Sequence, residues 1–170
     1  MSDVQIRRLT ARDADAFREV RLRSLREDPA AFTNSLEEFS RQPMERVRAR
    51  LTGEGADDFM LGAFLDGELV GTVGFYRETA LKLRHKGHIV TMYVTPEARG
   101  RGLGKALLQE ALRRIRALSG LKQVLLGVVV TQTAARHLYE SLGFEAYGRE
   151  PDAVRIGDEY FAEEFMLLKL

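Results

Sequence analysis

Between His88 and Val130 the sequence reads as an apolar strand, a glycine-rich turn, a long helix and a second apolar strand. His88–Val94 is rich in β-branched residues, and Val124–Val130 is apolar almost throughout. Leu103, Leu107, Ala111, Ile115 and Leu118 recur at helical spacing on one face. A helix joining two buried strands commits the chain to a parallel crossover, because a tight hairpin joins only antiparallel strands.

The flanking segments build the rest of a mixed sheet. Val4–Leu9 alternates as a short strand. Thr10 and Asp13 then offer capping chemistry for a helix carrying Phe17, Val20, Leu22 and Leu25, which Asp28-Pro29 ends. Residues 34–52 read as one or two short helices broken near Pro43. Phe59–Leu65 and Leu69–Tyr76 flank Asp66-Gly67, a hairpin turn. Residues 79–87 form a charged connection. Thr133–Leu142 is a helix closed by Gly143. Two strands, Phe144–Arg149 and Tyr160–Leu168, flank a loop expected over 150–159. The order β, α, α, β, β, β, α, β, α, β, β is an α/β (α+β) arrangement with helices on both faces.

At 170 residues, 45% hydrophobic and 30% charged, the chain fits one domain spanning 1–170 with a substantial core. It has no cysteine, which excludes disulfides, Cys-ligated zinc and a thiol nucleophile. His85 and His88 lack nearby carboxylates in sequence, so no metal is expected. The start lacks the apolar run of a signal peptide, and Val124–Val130 is far short of a membrane span. A cytoplasmic location and no membrane partner are expected. The net charge of +1 conceals segregation: residues 82–122 carry 10 basic and 2 acidic groups, while residues 140–170 carry 3 and 8. The 21 arginines are offset by acids and not interleaved with aromatics, so no nucleic acid partner is expected.

The turn itself, Arg99-Gly100-Arg101-Gly102-Leu103-Gly104-Lys105, breaks an electrostatic rule. A helix N-terminus has unpaired N–H groups and partial positive charge, and acids usually occupy its first turn. Here the first carboxylate is Glu110 and cations stand in its place. Such a terminus is built to receive an anion. A P-loop is excluded by Arg99 and Ala106, and a dinucleotide fingerprint by Lys105 at its third glycine position.

With Arg99, Gly102 and Gly104 in place, the segment resembles the pyrophosphate-binding motif of the GNAT N-acetyltransferase superfamily, Arg or Gln, two residues, Gly, one residue, Gly or Ala. Met92-Tyr93-Val94-Thr95-Pro96-Glu97-Ala98 resembles that family's central strand and its exit. Ala135-Arg136-His137-Leu138-Tyr139-Glu140-Ser141-Leu142-Gly143-Phe144 is similar to its second signature. The resemblance covers about residues 58–148 closely and the N-terminal third through element order.

The resemblance implies a mostly antiparallel sheet of six to seven strands with a central splayed parallel pair. It implies acetyl-CoA as co-substrate, without a metal, in the opening between those strands. Backbone groups of Met92 and Val94, flanking Tyr93, would pair with the pantetheine arm. Backbone amides of Arg99, Gly100, Arg101, Gly102, Leu103, Gly104 and Lys105 would hold the pyrophosphate, with the three cations as charge partners. Gln132, where the family often has asparagine, would contact the pantetheine. Tyr139 would be the general acid that protonates the departing thiolate. Read from the residues alone, Tyr139 lies on an apolar helix face, where a tyrosine is ordinarily a core residue. His88, aligned with a carboxylate of some members, and Glu78 compete with water as the base.

The implied activity is transfer of an acetyl group to a primary amine, either a small molecule or a protein amino group, with a homodimer left open. A non-catalytic acyl-CoA-binding or sensing module is the alternative. Family acceptor sites imply an acceptor region at Phe32–Phe39 and Pro151–Glu159. There Glu37, Glu38, Asp152, Asp158 and Glu159 would attract an amine beside Phe32 and Phe39.

Overall fold

The structure is a computed structural model that describes residues 3–53, 55 and 57–170. Strand β1 (Val4–Arg8) leads through a 3-10 turn into helix α1 (Ala14–Glu27). Asp13 closes that turn by accepting from the Thr10 backbone N–H at 2.8 Å and from both ends of the Arg7 guanidinium. Two short helices follow, α2 (Leu36–Ser40) and α3 (Met44–Leu51). Ser35 and Glu38 cap α2 reciprocally, and Pro43 initiates α3. Strands β2 (Asp58–Leu65), β3 (Glu68–Arg77) and β4 (Lys86–Val94) form an antiparallel meander. Helix α4 (Leu103–Arg116) crosses to β5 (Gln123–Val129). Helix α5 (Thr133–Ser141) then leads to the final hairpin, β6 (Glu145–Ile156) and β7 (Glu159–Lys169).

These make a seven-stranded sheet of order β1-β2-β3-β4-β5-β7-β6. Every neighbouring pair is antiparallel except β4–β5. One core lies under α4 and α5, where Leu107, Leu108 and Ile115 meet Val73, Phe75 and Val124. The other lies under α1–α3, where Phe17, Leu25, Phe39 and Val47 meet Leu9, Met60 and Tyr93. Helices therefore cover both faces, and each fully buried Leu or Phe contributes roughly 1.5–3 kcal/mol. No described helix is long and apolar enough to cross a membrane.

The expected loop over 150–159 is largely strand: β6 continues to Ile156 and turns at Gly157-Asp158. The pairing shifts register between Glu150 and Val154, around Pro151 and Asp152. Proline is accommodated there because β6 is an edge strand and the register break removes a ladder position.

Two irregularities open the middle of the sheet. The parallel pairing of β4 with β5 lasts only from Lys86↔Gln123 to His88↔Leu125, after which the strands diverge. Within β4, Thr72 pairs with Tyr93 and Gly74 with Val90, so Thr91 and Met92 together oppose Val73. Thr91 takes a left-handed conformation, φ 57°. Its carbonyl accepts from Thr72 Oγ1 at 3.0 Å and its hydroxyl from Arg50 Nη2 at 2.9 Å. These bonds hold a bulge that ordinary β pairing would not support.

Candidate functional site

The divergence of β4 and β5 opens a cavity of about 440 Å³. Its walls come from β4 (Met92, Tyr93, Val94), the turn before α4, β5 (Gly127, Val128, Val129) and the first two turns of α5; Asp28, Ala31 and Phe32 close the α1 side. All the expected co-substrate residues line it except Arg101, which is exposed beside it.

On β4 the backbone parity decides what faces the opening. The Thr95 N–H bonds Val70 O on β3 at 2.8 Å, and Tyr93 pairs with Thr72. Backbone groups alternate along a strand, so those of Met92 and Val94 point away from β3, toward the cavity. Arg99 Nε already donates to the Val94 carbonyl at 2.9 Å, which orients Arg99 along the cavity rim. Tyr93 itself is anchored from the other side, donating to Glu27 Oε2 at 2.6 Å.

At the turn, Gly102 is the N-cap of α4 with φ 76°, and Gly100 has φ 73°. Left-handed backbone at these two positions favours glycine. A side chain built on Gly102 would meet nothing within 4 Å, so it is the backbone conformation that calls for glycine there. Arg99, Arg101 and Lys105 form no ion pair among the described residues, and the first turn of α4 has no acid. The arrangement is a glycine-rich turn carrying unpaired cations at a helix N-terminus, a geometry able to receive an anion.

Tyr139 is 6% exposed and packs edge-on to Phe144 at a ring separation of 6.0 Å. It lines the cavity, and its hydroxyl has no hydrogen-bond partner among the described residues. Burial pushes its phenol pKa well above the ordinary value, so the group stays protonated. Gln132 lines the cavity as well, but its Nε2 donates to Asp28 Oδ1 at 2.9 Å, joining the start of α5 to the end of α1.

His88 and Glu78 are brought together instead of standing as separate candidates. His88 Nε2 lies 2.8 Å from Glu78 Oε1, and its ring stacks on Tyr76 at 4.8 Å. Neither residue lines the cavity. Sequence reasoning passed over Glu163. Its carboxylate lies against Gly127, where a β-carbon would collide with it. Burial, and then Glu150, raise the Glu163 pKa. Gly127 interrupts an otherwise apolar strand, and this was the available signal.

A second cavity of about 450 Å³ adjoins the first and shares Phe32 with it. Thr33–Leu36 and Val154–Gly157 line it, within the segments expected to hold the acceptor. The expected acids do not. Glu37 pairs with Arg41, Glu38 caps Ser35, Asp158 pairs with Arg155, and Phe39 is buried in the core. The charged residues lining this cavity are Arg26 and Arg155.

The family model described as Acetyltransferase (GNAT) family matches residues 20–144. A mycothiol acetyltransferase of Thermobispora bispora is 32% identical over 139 residues, 78% of this chain and 43% of that protein. An N-alpha-acetyltransferase of Sulfurisphaera tokodaii is 36% identical over 90 residues, 49% of this chain and 54% of that protein. The chain thus spans about half the length of these curated relatives. Among solved structures, a GNAT-family acetyltransferase from Streptococcus pneumoniae superposes with a TM-score of 0.89 at 23% identity, covering 99% of both chains. A Salmonella typhimurium acetyltransferase solved with acetyl-CoA gives 0.81 at 22% identity, covering 98% of this chain and 94% of that one. At such identities these likenesses speak to the fold.

Proposed function

The chain belongs to the acetyltransferase (GNAT) family, and from that premise we propose that it moves an acetyl group from acetyl-CoA to a primary amine by direct attack on the thioester. The observation that carries this reading is the coincidence of three features on one cavity: the glycine-rich anion cradle, the unladdered backbone of Met92 and Val94, and the unbonded hydroxyl of Tyr139. The cradle suits a pyrophosphate, and the β4 edge suits the amides of a pantetheine arm.

The chemistry follows from these groups. The Met92 N–H polarises the thioester carbonyl. The amine nitrogen attacks the carbonyl carbon, and the carbon–sulfur bond breaks as the intermediate collapses. The sulfur leaves with the bonding pair and takes the Tyr139 proton, and the proton shed by the acylated nitrogen restores the phenol. Burial keeps the Tyr139 phenol neutral, so a proton is in place to be given.

The attacking amine must first lose a proton, since an alkyl ammonium has a pKa of about 10.4. His88, oriented by Glu78, is the proposed base, acting through water because neither residue lines the cavity. A second reading has Glu163 as the base, favoured by its contact with the cavity-lining Gly127 and by its raised pKa.

Thiol release from acetyl-CoA over a panel of amines, with CoA binding measured in parallel, tests the proposal. Transfer to at least one amine is expected. Tight CoA binding with no transfer to any amine would favour the sensing module, and no CoA binding would remove the reading altogether.

A further inference from the structure

The chain from Asp28 to Phe32 is a partition between the two cavities. Asp28 and Ala31 line the first, Pro29 lines the second, and Phe32 lines both. The 3-10 turn Pro29–Ala31 within this segment packs against both β5 and β6. Phe32 is half-buried, and its ring stands edge-on to Tyr93 at 6.4 Å, beside the strand residues whose backbone faces the first cavity. An acceptor whose amine reaches the thioester beside Met92 can therefore extend past Phe32 into the second cavity. That cavity, about 450 Å³, is of the size that holds small organic ligands.

Its lining is apolar with a cationic margin. Leu25, Pro29, Leu36, Val154 and Ile156 supply the apolar wall. Arg26, from α1, and Arg155, from β6, supply the charge, and both are exposed. Arg26 forms no ion pair among the described residues. Arg155 donates its Nε to the Gly157 carbonyl at 2.7 Å and stands 3.4 Å from Asp158, a fully exposed carboxylate. Such an exposed pair is worth little in water. The nearby acids are committed elsewhere. Glu27 accepts from Tyr93 and Arg23, Asp28 from Gln132, Glu37 from Arg41, and Glu38 from the Ser35 N–H. A second ammonium on the acceptor would meet two guanidinium groups in this cleft, whereas an anion would be drawn toward both.

We infer that the second cavity holds the body of the acceptor and selects a primary amine joined through an apolar spacer to an anionic group, which Arg26 and Arg155 bind. The inference rests on the acetyl-transfer reading. The spacer lies along Phe32 and the apolar wall, where each Å² of apolar surface removed from water contributes about 25 cal/mol. Guanidinium forks bind carboxylate and phosphate alike through charge-assisted hydrogen bonds. The same two charges reject diamines, whose far end is cationic.

The test is thiol release from acetyl-CoA with three amines of similar length: aminocaproate, hexylamine and hexamethylenediamine, whose far ends are a carboxylate, a methyl group and an ammonium. The kcat/KM for aminocaproate is expected to exceed that for hexamethylenediamine by at least about tenfold, with hexylamine between them. Arg26→Glu combined with Arg155→Glu is expected to invert that order, with the CoA dissociation constant unchanged. Both positions are exposed, so the fold tolerates the change. Absence of the anion preference in the wild type, its survival in the double variant, or an equal fall in all three rates overturns the pocket. Aminopentylphosphonate distinguishes the two anion chemistries: a higher kcat/KM than aminocaproate supports a phosphate-bearing acceptor, and a lower one supports a carboxylate-bearing acceptor. Calorimetric titration of the CoA-bound protein with the same amines separates the pocket from the reaction. Equal turnover of the three amines leaves acetyl transfer standing and removes the pocket. Anion-selective binding without thiol release does the reverse.

Discussion

His88 Nε2 lies 2.8 Å from Glu78 Oε1, joining the last paired residue of β4 before it leaves β5 to the residue just beyond β3. In the proposed mechanism the carboxylate orients the imidazole and its other nitrogen takes the proton. A base works only when deprotonated, so the proposal expects activity to fall toward acid pH. His88→Gln is expected to lower kcat by about tenfold to a hundredfold and to flatten that acid limb. Glu163→Gln is expected to leave the limb in place. A pH–rate profile of both variants checks this, and the opposite pattern transfers the base role to Glu163.

Arg7 and Asp13 form a bidentate pair at 2.7 and 2.9 Å that ties β1 to the start of α1. The Arg7 hydrogen bond, foremost, holds the Asp13 carboxyl at a pKa of about 2. Because the folded-state value is depressed, the stabilisation is fully present above the ordinary value near 4 and is lost as pH falls toward 2. Asp13→Asn is expected to cost about 1 kcal/mol at neutral pH after solvent screening. The difference from wild type should shrink in acid unfolding curves as pH falls through about 2.

Burial pushes the Arg21 guanidinium pKa down to about 10, with Arg50 adding to the effect. Burial therefore penalises the charged form. Replacing Arg21 by Met is expected to stabilise the free protein by about 1–2 kcal/mol, as replacement of buried charges by apolar side chains often does. Denaturant midpoints with an unchanged slope check it. Destabilisation would mean that Arg21 has a partner in the free protein.

Gly102 caps α4 with φ 76° in open space, so backbone conformation, rather than crowding, selects glycine there. Gly102→Ala is expected to destabilise the fold by about 1 kcal/mol. Gly102→Asp adds a negative charge at the cradle and is expected to abolish CoA binding, read by calorimetry. Normal binding by the Asp variant would displace the pyrophosphate from this turn.

Much of this architecture was legible in local pattern. The α4 turn, the Asp66-Gly67 hairpin and the Tyr139 helix each announce themselves through glycines or helical spacing. The second half of β6 did not. It is an exposed edge strand whose Glu150-Pro151-Asp152 run lacks the alternation that a buried face imposes. Arg21 was partly legible: it falls on the same buried stripe of α1 as Phe17, Ser24 and Leu25, where an arginine is out of place. The enclosure of its unbonded Nε and Nη1, like the contact of Glu163 with Gly127, depends on how distant segments pack, and no local pattern encodes it.

The central claim is that Tyr139 gives its proton to the departing thiolate across the shared cavity. Its most direct test is acetyl transfer by wild type and Tyr139→Phe side by side, with CoA affinity measured for both. The account predicts a kcat lower by about a hundredfold. It also predicts a nearly unchanged CoA dissociation constant, because the phenol ring and its packing on Phe144 are kept. An undiminished kcat in the Phe variant would contradict it and reduce Tyr139 to a packing residue.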